Sequence, residues 1–193
     1  MRKSKKIAAF RALCFFAAFF ICTSSHASTY KERKAFSDIS PFYKWTDVIR
    51  RMDAEQEELP AFSKLDENRI SIATVKKINE SVNEFRFIDD ESGWGKSDYW
   101  QTPQEFFAAG GGDCEDFAIA KYAWLKSLGL QEENMRIAIV RDKFLQSMHT
   151  LLLVNVEGKS LILDNQEKKT EGFILDSRYD PIFSFNRQAW WLY

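Results

Sequence analysis

Apolar residues recur every three or four positions through the first two thirds of the chain, as in helices that bury one face. Ser40 and Pro41 stand at the N-cap and first position of a predicted helix that Pro60 should end. Its apolar face comprises Phe42, Trp45, Val48, Ile49 and Met52. A second helix is predicted from about Ile70 to Phe87. Its apolar face comprises Val75, Ile78, Val82 and Phe85.

Two more helices are predicted on either side of a glycine run. In TPQEFFAAG, Thr102 is the expected N-cap, and Glu105 three residues later completes a capping box. The glycines at 110–112 should break this short helix. The next helix is predicted from about Asp113 to Leu128, with Gly129 as its stop signal.

The pattern then changes to the alternation that is typical of strands. The predicted strands are MRIAIVRD (135–142), HTLLLVNV (149–156) and SLILDNQ (160–166). If residues 157–158 form a two-residue hairpin loop, Leu151 pairs with Asp164, and His149 lies on the same face as Asp164. The segment GFILDSRYDPIFSFNRQAWWLY is expected to add a strand and an aromatic cover.

The first residues have the pattern of a secretory signal. A basic MRKSKK is followed by the apolar IAAFRALCFFAAFFIC and by SSHA, whose small residues suit signal peptidase. We therefore predict a signal peptide over residues 1–27, cleaved after Ala27, and one domain over residues 28–193. The alternative is an uncleaved anchor, but the apolar run after Arg11 is shorter than the roughly 20 residues that span a bilayer.

Cleavage would change both the charge and the reactive residues of the chain. The signal carries five basic residues and no acid, so 27 basic and 28 acidic residues become 22 and 28, a net charge of −6. Such a balance does not indicate a nucleic-acid-binding protein. The exported chain would keep one cysteine, Cys114, and one histidine, His149. A lone exported cysteine is a buried bystander, an intermolecular bridge or a reactive thiol.

The positions of Cys114, His149 and Asp164 match the needs of acyl transfer. A helix start favours a thiolate at Cys114, and its free N–H groups can hold an oxyanion. His149 would take the thiol proton, and Asp164 would orient the imidazole. Each residue also has a structural interpretation: a small core residue, a strand-end histidine and a strand-end turn. Zinc is disfavoured, since one Cys and one His lack its usual ligand spacing.

Acidic residues flank the cysteine in GGGDCEDFA, with Asp113 before it and Glu115 and Asp116 after it. Negative neighbours hold the proton on a thiol, which opposes catalysis. Acids in the first turn of a helix are also ordinary complements of its dipole, worth about 0.3–1 kcal/mol. The acid-rich stretch Asp89–Asp98 lacks EF-hand spacing, so we interpret it as a solvated loop.

The stretches SDYWQTPQEF, GGGDCEDFAIAKYAWLKSLGL, MRIAIVRD and HTLLLVNVEGKSLILDNQ together resemble the bacterial transglutaminase-like cysteine peptidases, among them the periplasmic proteases that release biofilm adhesins. The resemblance covers about Ile78 to Gln166. It implies a papain-like or transglutaminase-like α+β fold, in which N-terminal helices, one carrying the cysteine at its N-terminus, pack on an antiparallel sheet. Thr150 departs from the alanine that is expected after the histidine.

By this resemblance Cys114 is the nucleophile, His149 the base and Asp164 the orienting residue. The resemblance further implies a Ca²⁺ ion bound through the acids Asp113, Glu115 and Asp116. Asp113 and Asp116 are three residues apart and can meet on one helix face, whereas Glu115 is expected to point elsewhere. The implied substrate is a large surface adhesin, cut near its N-terminus beside an Ala-Ala pair. The implied regulator is an inner-membrane receptor that senses cyclic di-GMP.

Two other functions fit the same residues. A transglutaminase would attack a glutamine amide with the same triad and would release ammonia rather than a new N-terminus. A non-catalytic binding module would keep an inert cysteine that a thiol reagent labels slowly in the folded protein.

Overall fold

The computed structural model of the protein describes residues 34–55, 59, 70–166 and 178–193. The predicted signal peptide, the predicted domain start at residue 28 and Pro60 lie outside these ranges. None of the helices in the described ranges combines the length and hydropathy needed to cross a bilayer.

Five α-helices lie in the described ranges, and capping side chains define the starts of several of them. They are α1 (Tyr43–Ala54), α2 (Ile72–Val82), α3 (Asp90–Trp94), α4 (Pro103–Ala109) and α5 (Cys114–Ser127). The Thr102 hydroxyl accepts the Glu105 N–H at 3.3 Å, so the predicted cap of α4 is confirmed. The predicted extent of α5 is also confirmed to within one residue at each end.

Three helix boundaries differ from the prediction. The first helix ends at Ala54, before Pro60, because Glu55 already has an extended conformation. The first helix begins at Tyr43 rather than Pro41, because the Ser40 N–H bonds to the Asp38 carboxylate at 2.9 Å in a turn before the helix. The second helix ends at Val82 rather than near Phe87. Its predicted last turn instead forms a short strand, since residues 86–87 pair with the glycine run.

The loop predicted between Asp89 and Asp98 is wrong, because its first half forms the helix α3. Asp89 caps this helix by accepting the Ser92 N–H at 2.9 Å. Gly95 ends the helix in the left-handed conformation, with a φ of 63°. The helix buries Asp90, which is 5% exposed, so this stretch is not simply solvated.

The main sheet combines one strand from the start of the described chain with five strands from its second half. Its strands are β1 (Lys34–Phe36), β4 (Met135–Asp142), β5 (Ser147–Val156), β6 (Lys159–Leu163), β7 (Tyr179–Phe185) and β8 (Trp190–Leu192), in the order β1-β8-β7-β4-β5-β6. All neighbours in it are antiparallel. Two short parallel strands, β2 (Arg86–Phe87) and β3 (Gly111–Gly112), pair separately. The α+β architecture is that expected from the resemblance.

The register of the β5–β6 hairpin follows the prediction. Val156 pairs with Lys159 beside the turn, and Leu152 pairs with Leu163 at its far end. One step further, Leu151 comes opposite Asp164, so His149 and Asp164 share a face. The tail adds β7 and β8, and Trp190 stacks on Phe36 with ring centroids 4.0 Å apart.

Alternation along the strands divides the buried side chains between two faces. One face packs against the helices and shares a core with them, which includes Trp45, Ile78, Tyr122, Ile137 and Leu152. The other face carries a smaller cluster formed by Ala138, Val140, Leu151, Ile162 and Tyr179. His149 belongs to the second face, whereas Thr150 belongs to the first.

Candidate active site

The glycine run fixes where α5 begins. Gly110 ends α4 with a φ of 76°, and residues 111–112 then run extended beside β2. The extended Asp113 precedes α5, and its N–H donates to the Asp116 carboxylate at 3.1 Å. Cys114 is therefore the first residue of α5, where free N–H groups and the helix dipole converge.

The Cys114 thiol lies in a negatively charged environment. It is partly buried and donates to Oε2 of Glu115 at 3.2 Å. Burial, followed by the charges of Glu115 and Asp113, raises the pKa of Cys114, and a hydrogen bond with the Thr150 side chain lowers it only partly. The thiol is thus held protonated unless a positive charge offsets the acids.

His149 and Asp164 form a buried pair, as the hairpin register predicts. Nε2 of His149 lies 2.8 Å from Oδ1 of Asp164, and both side chains are 2% exposed. The pair uses Nε2 of the ring, so Nδ1 is not bonded to Asp164. Burial raises the pKa of Asp164, but hydrogen bonds from His149 and Tyr179 outweigh it and hold that pKa below its usual value.

Among the described residues, no hydrogen bond joins Cys114 to His149. The thiol instead meets Thr150, the next residue of β5, because successive strand residues point to opposite faces. Cys114 therefore lies beside β5, the strand that carries His149, but its thiol is not hydrogen-bonded to the imidazole. Catalytic hydrogen bonds are often open before substrate binds.

Tyr179 completes the surroundings of Asp164 and was not found from the sequence. Its hydroxyl donates to Oδ2 of Asp164 at 2.6 Å, and its ring stacks on His149 with centroids 5.7 Å apart. The Gln166 N–H donates to Oδ1 at 2.9 Å. Tyr179 enters the site because β7 pairs with β4, a long-range pairing that no local motif in the sequence indicates.

Five carboxylate side chains lie close together near the start of α5. Oxygens of Asp90, Asp113 and Asp116 lie within 4.8 Å of one another, as do those of Asp90, Asp98 and Glu115. Glu115, which was expected to point elsewhere, is absent from the group that contains Asp116, but it groups with Asp113 and the Cys114 sulfur within the same distance. Asp90 links the groups, and the sequence analysis missed it together with Asp98.

The acid cluster is defined as Asp90, Asp98, Asp113, Glu115 and Asp116, and Lys44 forms a salt bridge with Asp98 at its edge. Burial, then the charges of Glu115 and Asp116, raises the pKa of Asp113 to about 10. Burial also raises the pKa of Asp116 to about 7 and the pKa of Asp90 above its usual value. Oδ1 of Asp90 and Oδ1 of Asp113 are buried without a hydrogen-bond partner. Buried carboxyl oxygens without partners are costly, and a hard cation bound by these oxygens would remove that cost.

Gln101 and Gly112 hold Asp116 in this cluster. The backbone N–H of Gln101 donates to Oδ1 of Asp116 at 2.8 Å, and its Nε2 donates to Oδ2 at 2.6 Å. A Cβ on Gly112 would overlap Oδ2 of Asp116 and lie 2.6 Å from Nε2 of Gln101. Only glycine therefore allows this approach of the backbone to the carboxylate.

Solved structures of one protein resemble this chain over most of its length. LapG from Legionella pneumophila, in a structure described as calcium-bound, is 28% identical with a TM-score of 0.56, and the match covers 85% of this chain and 82% of LapG. An EGTA-treated LapG structure gives the same identity and TM-score over 80% of this chain and 78% of LapG. The comparison with curated protein sequences gave no significant match.

The family comparison covers the described helices, the sheet strands β4 to β7 and the candidate site together. Residues 38–189 match the family model described as bacterial transglutaminase-like cysteine proteinase, BTLCP. This range includes Cys114, His149 and Asp164 and extends well beyond the motifs that suggested the resemblance. The chain belongs to the bacterial transglutaminase-like cysteine proteinases and is a cysteine protease of the LapG type.

Proposed function

We propose that the protein is a calcium-dependent cysteine endopeptidase whose triad is Cys114, His149 and Asp164. The main support for the triad is the buried contact of 2.8 Å between His149 and Asp164. His149 lies on β5, and the next residue of that strand, Thr150, interacts with the Cys114 thiol. A buried imidazole held by a carboxylate is arranged to take and return a proton rather than to fill space.

The reaction assigns one role to each residue. Nδ1 of His149 takes the Cys114 proton, and the sulfur attacks the carbonyl carbon of the scissile peptide bond. Free N–H groups at the start of α5 stabilise the resulting oxyanion. His149 then gives the proton to the departing amine, which leaves a thioester. Water, deprotonated by His149, hydrolyses the thioester and restores the thiol, while Asp164 orients the imidazole and stabilises its cation.

The acid cluster would hold Ca²⁺ through Asp113, Asp116 and Glu115, together with Asp90 and Asp98. Bound there, the ion would supply positive charge that offsets the effect of the acids on the Cys114 thiol and would fix the start of α5. The unpartnered oxygens of Asp90 and Asp113 support this assignment. The calcium-bound and EGTA-treated structures of LapG support calcium as the ion.

The substrate and regulator are inferred from the resemblance to the adhesin-releasing proteases. We infer that the protein acts in the periplasm, after removal of residues 1–27, on the N-terminal region of a large surface adhesin beside an Ala-Ala pair. The basic and apolar pattern of the predicted signal peptide supports export. We further infer control by an inner-membrane receptor that senses cyclic di-GMP.

The test is incubation of the purified protein with a recombinant N-terminal fragment of the large adhesin of the same bacterium, in calcium and in EGTA. The proposal expects two fragments in calcium, with a new N-terminus at the Ala-Ala pair by Edman sequencing, and none in EGTA. Ammonia release with incorporation of a primary amine would instead identify a transglutaminase. An intact fragment under both conditions would contradict the proposed substrate.

Replacing Asp164 by Asn should lower kcat roughly 100-fold or more, while removal of Cys114 should leave no measurable turnover. An amide keeps the shape of the side chain but loses the charge that stabilises the imidazolium. The matched control is Asp180→Asn, since Asp180 is 61% exposed and pairs only with Lys143 among the described residues. Steady-state cleavage of the adhesin fragment gives kcat for each variant. An equal kcat for Asp164→Asn and the wild type would show that Asp164 does not orient His149.

Replacing Gly112 by Ala should weaken calcium binding and destabilise the fold by about 1–3 kcal/mol, as overpacking does. The added methyl group would displace Asp116 or Gln101 from their contact. Gly158→Ala is the control: its φ of 73° is strained for alanine, but no atom lies within 4 Å of the added Cβ. Calorimetric calcium titration and thermal unfolding measure the two effects, and wild-type affinity in Gly112→Ala would exclude Asp116 from the site.

A further inference from the structure

An apolar groove opens beside the candidate active site, and the proposed mechanism does not use it. It has a volume of about 270 Å³ and lies between the start of α1, the segment before α4 and the strands β4 and β7. Its walls include Phe42, Tyr43, Trp100, Ile139 and Phe183. Concave surfaces that are mostly apolar are typical ligand sites of proteins.

The walls of this groove are fixed by contacts among aromatic side chains. Phe42 packs against Phe183 and Phe185, with ring centroids 5.2 and 5.1 Å apart. Trp100 stacks on Phe185 at 5.9 Å, and its carbonyl accepts a hydrogen bond from Arg51 at 2.5 Å. Phe42, Trp100 and Phe183 nevertheless remain only half-buried. A rigid apolar surface binds a ligand with little loss of its own conformational entropy.

The register of the sheet connects the groove to the cysteine. Thr150, whose side chain bonds with the Cys114 thiol, pairs with Ile139 of β4. Ile139 in turn pairs with Phe183 of β7. Cross-strand partners share a face, so the three side chains form one row on the helix-facing side of the sheet. Because neighbouring strands lie about 4.8 Å apart, Ile139 is about 5 Å and Phe183 about 10 Å along that row from Thr150.

A second connection runs through the segment before α4. Trp100 lines the groove, and the next residue, Gln101, donates from its backbone and its side chain to Asp116 at 2.8 and 2.6 Å. Asp116 lies in the first turn of α5, the helix that begins with the cysteine. Two separate sets of contacts therefore place the groove against the end of α5 that carries the nucleophile.

We propose that the groove is a substrate subsite, which takes a large apolar side chain of the cleaved polypeptide a few residues away from the scissile bond. An extended peptide advances about 3.3 Å per residue, so the groove corresponds to a position about two to four residues from the bond. Two alanines bury little apolar surface, and a larger neighbour in the groove would supply the affinity that they lack. This inference rests on the proposed protease function, because it takes Cys114 as the point of cleavage.

The first test is cleavage, in calcium, of a peptide library with a central Ala-Ala pair and randomised residues on both sides. Mass spectrometry of the products should show that the wild type prefers large apolar residues over alanine, by roughly tenfold, at one position about two to four residues from the cut. Ile139→Phe, which fills the groove, should lose this preference. The matched control is Leu153→Ala, a half-buried aliphatic residue on the opposite face of the neighbouring strand, which should keep it.

The second test needs no turnover, so its failure is distinguishable from failure of the proposed protease function. Phenylbutyl and hydroxybutyl disulfides are equilibrated with the protein in a thiol buffer, and the fraction attached to Cys114 is counted by mass spectrometry. The phenylbutyl group should be retained about tenfold more strongly, because its ring can enter the groove. In Ile139→Phe the two groups should be retained equally.

Circular dichroism checks that the variants are folded. If Ile139→Phe does not fold, Tyr43→Ala takes its place, because Tyr43 is a wall residue that is 71% exposed. Equal retention of the two groups by the wild type, or unchanged selectivity in a folded groove variant, would overturn the inference. A dimer in sedimentation that Ile139→Phe dissociates would assign the groove to a second copy of the chain and would also overturn it.

Discussion

Cys114→Ala should abolish cleavage of the adhesin fragment while leaving the protein folded. Loss of a nucleophile in such a triad lowers kcat by about 10⁶-fold, because no other group can form the covalent intermediate. The cost in stability should be small, since the thiol is only partly buried and its hydrogen-bond partner Glu115 already lies among acids. Gel-based cleavage and thermal unfolding measure the two effects.

Cys114→Ser is the matched comparison, because it keeps a hydroxyl at the start of α5. It should also be inactive, since His149 is arranged for a thiol and a hydroxyl is far harder to deprotonate. Near-wild-type cleavage by either variant would show that Cys114 is not the nucleophile. Loss of the thermal transition would show instead that the residue is structural.

Removal of calcium should have the second large effect. EGTA should abolish cleavage, and added calcium should restore it and raise the melting temperature. By mass action the stabilisation is about 2.7 kcal/mol when free calcium is a hundredfold above Kd. The physical reason is the acid cluster, in which Oδ1 of Asp90 and Oδ1 of Asp113 are buried without partners. Magnesium should substitute poorly, because it requires a tighter octahedral shell.

Asp113→Ala and Asp90→Asn should reproduce the EGTA result even when calcium is present. Glu91→Ala is the control, since Glu91 is exposed on α3 directly beside Asp90. Glu115→Ala should also weaken binding, because its carboxylate lies in the cluster rather than away from it. Calorimetric titration of each variant measures the affinity. Wild-type affinity in both aspartate variants would mean that the acids only complement the helix dipole.

The sequence was sufficient where local rules decide the structure. The two-residue turn at 157–158 and the alternation of β5 and β6 fixed the register, and with it the pairing of His149 and Asp164. The glycine run and its flanking residues fixed the start of α5 at Cys114. Both features need only a few neighbouring residues, so a single sequence predicts them.

The sequence was insufficient where distant segments meet. Asp90 reaches the acids of α5 only because residues 86–87 pair with the glycine run and bring α3 beside it. Tyr179 reaches Asp164 only because β7 pairs with β4. Asp89–Asp98 lacks EF-hand spacing, and a search for a local calcium loop therefore overlooks an acid cluster assembled from two segments.

The most direct test of the account measures how fast iodoacetamide alkylates Cys114 in calcium and in EGTA, counted by mass spectrometry against a Cys114→Ala blank. If a cation in the acid cluster activates the thiol beside His149, alkylation at neutral pH should be about tenfold or more faster in calcium, because the thiolate is the reactive form. Asp113→Ala should be slow under both conditions. Equal rates for the wild type in calcium and EGTA would contradict the account.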